Sequence, residues 1–143
     1  MNKSLKTVIL SFFVVSCSVN SNNKLNDNNR LEIIRNQITR GNSQSQIVNS
    51  NETLIVVNND TIMKKTKKED WQKIETMLHK IELSNLEMIV VDESAKAHQY
   101  DGAPITTITV KDGTKNYYSP SYDTGKAPKE IHDLDEFLSS LSK

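Results

Sequence analysis

From Thr53 onward the chain alternates between short β-branched apolar runs and stripes of apolar residues at helical spacing. Thr53-Leu54-Ile55-Val56-Val57 has the side chains a strand requires. Asn58-Asn59 tolerates positive φ, so it closes a hairpin onto residues 61–65. Thr66-Lys67-Lys68-Glu69 has the form of a capping box, which predicts a helix start, and Trp71, Ile74, Leu78 and Ile81 with Met77 form its apolar stripe. Residues 86–91 read as another strand. Ile105–Val110 and Lys115–Tyr118 flank Asp112-Gly113, the strongest short hairpin signal in the chain. Pro128 suits a first helical position, and Ile131, Leu134, Leu138 and Leu141 form the stripe of a closing helix.

The predicted order over residues 53–143 is ββαβββα. Tight turns imply antiparallel pairing, and two amphipathic helices can cover one face of a sheet. The expected class is therefore α+β, a two-layer sandwich with an antiparallel sheet of four or five strands and both helices on one face.

Residues 18–52 have a different composition. Asn20, Asn22, Asn23, Asn26, Asn28 and Asn29 crowd together with serines, a content too polar to offset its own ordering entropy. A tether is expected over residues 17–52, interrupted by a short helix over 30–40. Leu31, Ile34 and Ile38 recur at helical spacing there, Asn29 stands three before Glu32, and Gly41 supplies a stop. Residues 42–51 return to linker composition.

At the N-terminus Lys3 and Lys6 precede the apolar run at residues 7–15, which is far shorter than the ~20 residues of a membrane-spanning helix. Ser16 then stands directly before Cys17. Val14-Val15-Ser16-Cys17 resembles the lipobox of bacterial lipoproteins, with Val14 where leucine is usual. The resemblance is confined to residues 1–17. It implies removal of residues 1–16 and acylation of the Cys17 thiol by diacylglycerol. It also implies lipid anchoring in the cell envelope, with Ser18 after the cysteine favouring the outer membrane and a domain facing the periplasm. Several acyl chains anchor stably where one is marginal.

Composition and charge narrow the function classes. The chain has 143 residues, 18 basic and 18 acidic side chains and one cysteine. Without Lys3 and Lys6 the counts become 16 and 18, which argues against a strongly electrostatic nucleic-acid binder. A single cysteine excludes an internal disulfide and a multi-thiolate zinc site. Lys64, Lys65, Lys67 and Lys68 cluster, most simply as a solvated strand end. No nucleophile elbow, glycine-rich phosphate cradle or paired-histidine zinc helix occurs. His79, His98 and His132 are scattered, so neither a cofactor nor a metal is expected and no catalytic residue is assigned.

Two loops are richer than connectors need. Tyr100 and Asp101 lie before the second hairpin, and Tyr117, Tyr118, Tyr122 and Asp123 lie between it and the last helix. Tyrosine with Ser, Asp and Gly offers large contact area at low entropic cost. The leading expectation is a non-enzymatic domain that binds a protein or envelope component through these loops or a sheet face, anchored to the membrane by Cys17. One alternative is a small hydrolase or metal-dependent enzyme that gathers His98, Asp101 and Asp123. The other is a structural envelope protein that self-associates through a strand edge.

Overall fold

Period-two burial begins at Leu31, well before Thr53. The computed structural model describes residues 31–99 and 102–142. Cys17 with the leader, and Tyr100 and Asp101, lie outside the described residues. The strands are β1 (Leu31–Thr39), β2 (Asn42–Val48), β3 (Glu52–Val57), β4 (Asp60–Lys65), β5 (Ile105–Asp112), β6 (Lys115–Tyr118) and β7 (Tyr122–Asp123). The two α-helices are α1 (Lys68–Leu78) and α2 (His132–Leu141). All strands pair antiparallel in one seven-stranded sheet, ordered β4-β3-β2-β1-β5-β6, with β7 also on β5. Its inner face packs with both helices around one core that includes Ile33, Val48, Trp71, Ile74, Ile108, Val110, Leu134 and Leu138. The architecture is the expected α+β two-layer sandwich, with a wider sheet.

The helix expected over 30–40 is instead β1, which sits centrally between β2 and β5. Leu31, Ile34 and Ile38 have helical spacing, but the sheet turns Ile33 and Arg35 inward and leaves Ile38 exposed. The expected linker at 42–51 is largely β2, whose inward positions include Gln46 and Val48. Gly41, read as a helix stop, turns the β1–β2 hairpin at φ 89°, in the left-handed region that glycine enters without penalty. The β3–β4 hairpin closes at Asn58-Asn59 as expected, with Asn58 at φ 54°. In the β5–β6 hairpin Asp112 pairs with Lys115, so Gly113 takes the first turn position at φ 60°.

Residues 86–91 form no strand. They begin in a 3-10 turn over Leu83–Met88, and only Leu86 and Val91 of the run are buried, whereas Met88 is 70% and Val90 87% exposed. The capping box also forms differently. The Thr66 hydroxyl is turned inward and lies 3.0 Å from that of Thr53, and α1 starts at Lys68 with no side-chain cap. Pro128 precedes α2 in a turn closed by the Ile131 amide donating to its carbonyl at 3.0 Å.

Candidate functional site

The sheet separates the predicted site residues. Tyr117 stands opposite buried Val110 and packs against the core, while its neighbour Tyr118 points to the other face and is 50% exposed. Tyr122 is completely buried and Asp123 nearly so, so neither offers a loop surface to a partner. Tyr100 and Asp101 lie outside the described residues.

Asp123 instead organises a corner that the sequence pattern does not reveal. Its Oδ1 accepts the His98 amide at 2.9 Å and lies 2.8 Å from His98 Nδ1, and its Oδ2 accepts the Ala97 amide at 3.2 Å. Lys126 Nζ reaches Oδ2 at 3.5 Å while donating to the Ser94 carbonyl at 2.6 Å. Desolvation pushes the Asp123 carboxyl up, but the His98 backbone and ring, the Ala97 amide and Lys126 together outweigh it and hold the group below its ordinary value. The far ring nitrogen, His98 Nε2, lies 3.4 Å from Ser121 Oγ. Ser121 and Asp123 stand two residues apart, where an extended chain returns side chains to the same side. A Ser–His–Asp series is thus assembled.

His132 belongs elsewhere, beside Asp133 at 3.6 Å and on a different cleft from His98. His132 therefore does not join His98 and Asp123. Among the described residues no group of three or more His, Cys, Asp or Glu could hold a metal. Lys65, Lys67 and Lys68 of the lysine cluster line a cleft of about 670 Å³ between the end of β4 and α1. Glu69 and Glu75 line the same cleft and offset its positive charge.

A second cluster occupies the inner face of the sheet. Arg35 Nε donates to Asp135 Oδ1 at 2.7 Å, and Arg35 Nη1 donates to Gln37 Oε1 at 3.3 Å. Gln46 is the cross-strand neighbour of Arg35 and is 1% exposed, with neither amide atom hydrogen-bonded. Burial first, and then the Asp135 carboxylate, push the Tyr122 phenol well above its ordinary range, although its hydroxyl completes no hydrogen bond of normal geometry. Polar residues at inward strand positions give no apolar alternation, so nothing in the sequence pattern marks this cluster.

The outer face has the opposite character. Pairing register aligns Met63, Leu54, Ile47, Ile34, Thr109 and Tyr118 in one row across six strands. Ile34, Ile47 and Leu54 are half-buried, and Met63 is 65% exposed. Of the two adjacent rows, Thr61, Val56, Ser45, Asn36 and Thr107 carry no charge, whereas Lys65, Glu52, Glu32 and Lys111 on the other side are all charged. Both helices lie on the other side, so no described helix covers this face. No family model, curated protein or solved structure matches the chain.

Proposed function

We propose that the protein is a lipid-anchored bacterial envelope protein whose domain binds a protein partner through the open face of its sheet and catalyses no reaction. The observation that carries this reading is the apolar row from Met63 to Tyr118, bordered on one side by uncharged Thr, Ser and Asn and on the other by Lys65, Glu52, Glu32 and Lys111. Interface centres are depleted in charge and enriched in aromatic residues and methionine. Tyr118 and Met63 supply those types at the two ends of the row, and the pair Glu32–Lys111, 2.9 Å apart, lies at its boundary. The partner surface is correspondingly apolar where it meets the row and polar where it meets the charged border.

Anchoring rests on the lipobox resemblance at Cys17. Fully extended, residues 18–30 would span at most roughly 45 Å, enough to let the face turn toward a neighbour on the membrane. Metabolic labelling with a fatty acid tests the anchor, and capture of partners from the envelope with wild type and Ile47→Asp tests the face. Labelled, processed protein and a partner lost on Ile47→Asp are the expected results. Equal labelling of Cys17→Ala would overturn the anchor, and equal capture by Ile47→Asp would overturn the face.

One observation favours a second reading, a small esterase: the series Ser121, His98, Asp123. Ser121 Oγ would pass its proton to His98 Nε2 as it bonds to the acyl carbon, the alcohol would leave with that proton, and water would release the acid by the same route. The 3.4 Å separation is long for that proton transfer. Labelling by a fluorophosphonate at Ser121, abolished in His98→Gln, would favour the esterase over the binding domain. An unlabelled folded protein would remove it.

A further inference from the structure

The core holds more polar capacity than its own residues use. A buried Arg–Asp pair loses hydration on both partners, and well-packed apolar residues in the same place are often equally or more stable. Arg35 and Asp135 nevertheless sit at the centre of the inner face, on the middle strand and on α2. Beside them, the Gln46 amide is buried with no hydrogen-bond partner, and the Tyr122 hydroxyl faces the Asp135 carboxylate without completing a hydrogen bond of normal geometry.

This cluster is not sealed. Arg35 and Asp135 both line a cleft of about 350 Å³, together with Thr124, His132, Glu136 and Ser139. That volume falls within the range of small-molecule sites. Guanidinium has five N–H donors, and Arg35 directs only Nε and one Nη1 hydrogen to Asp135 and Gln37. The remaining donors suit a carboxylate, which a planar guanidinium binds in fork geometry. Arg35 meets Asp135 only at Oδ1, the Tyr122 hydroxyl lies by the same carboxylate, and Glu136 stands at the same cleft. These oxygens suit an ammonium group.

We propose that this cleft binds a free α-amino acid with a small side chain, Arg35 taking its carboxylate and Asp135 with Glu136 its ammonium. The mixed charge of the walls selects a zwitterion. A simple anion would face two carboxylates, and a simple cation would face the guanidinium. Thr124 and Ser139 offer hydroxyls to whatever side chain follows. The site lies on the helix side of the sheet, so it is independent of partner binding by the open face.

The chain has three arginines, Arg30, Arg35 and Arg40, so selective ¹⁵N-arginine labelling of the full chain in detergent gives three side-chain Nε–H signals. Titration with L-alanine is expected to move the Arg35 signal saturably and to leave Arg40 in place. Acetate and methylamine, added separately, are expected to move it far less. Because Arg35→Met also breaks a buried ion pair, the decisive variant is Ser139→Phe, which fills the cleft and leaves the pair intact. Loss of the alanine response in folded Ser139→Phe supports the site. Absence of any saturable shift in the wild type, an equal response to acetate, or a response retained in Ser139→Phe would each overturn it.

Discussion

Arg35 donates through Nε to Asp135 Oδ1 at 2.7 Å across the core, with both side chains at most 5% exposed, and so joins the central strand to the last helix. Removing one partner strands the other charge in a dry site. Asp135→Ala is therefore expected to cost about 3–5 kcal/mol. Joint replacement by Arg35→Met and Asp135→Leu should cost far less than the sum of the single losses. Urea unfolding of the four proteins of this cycle measures both, and additive losses would show that the pair is not coupled.

Asp123 makes acid stability informative. Its folded value is lowered, so the stability it contributes is present above the ordinary carboxylate value and is lost as pH falls through the lowered one. Asp123→Asn keeps the shape but removes the charge that His98, Ala97 and Lys126 surround. Its unfolding midpoint should lie below that of wild type at neutral pH, and the difference should shrink on acidification into the range where wild-type Asp123 protonates. Urea titrations across that range check it, and a difference that grows on acidification would have the wrong sign.

Gly41 isolates a backbone effect. It holds φ 89° with nothing within 4 Å of where a Cβ would stand, so Gly41→Ala meets a dihedral penalty and no clash. The expected loss is about 1–2 kcal/mol, seen in chemical unfolding. At Gly102, φ 74°, an added Cβ would also come within 3.2 Å of Arg40 Nε, so Gly102→Ala should lose at least as much unless Arg40 swings away.

Legibility from sequence followed the identity of inward-facing residues. The α1 and α2 stripes were readable because Trp71, Ile74, Leu78, Leu134 and Leu138 are apolar and buried. The β3–β4 and β5–β6 hairpins were readable because Asn58 and Gly113 supply positive φ. The middle of the sheet was hidden because β1 and β2 turn Arg35 and Gln46 inward, where alternation calls for apolar residues. The Leu86–Val91 run misled in the other direction, since half of it faces solvent. The sequence marks Asp123 as a loop residue, but its contact with His98, and that of His98 with Ser121, each span more than twenty residues, which no local spacing encodes. The same is true of Arg35 and Asp135, one hundred residues apart.

On the outer face, Ile47→Asp places one charge at a half-buried position in the middle of the apolar row. The domain should remain folded, with a loss of roughly 1 kcal/mol, because no helix packs there to be displaced. Circular dichroism and urea unfolding read the fold. Global unfolding of Ile47→Asp would mean that this side chain belongs to a core and not to a binding face.

The most direct test is a photo-crosslinking amino acid placed at Tyr118, on the open face, in the full lipidated chain within its own envelope. A matched protein carries it at Glu75, a half-buried position of α1 on the other side of the sheet. A discrete adduct is expected from position 118, absent from position 75 and lost on adding Ile47→Asp. Adducts from position 75 alone, or an undiminished adduct in the Ile47→Asp background, would contradict binding through the sheet.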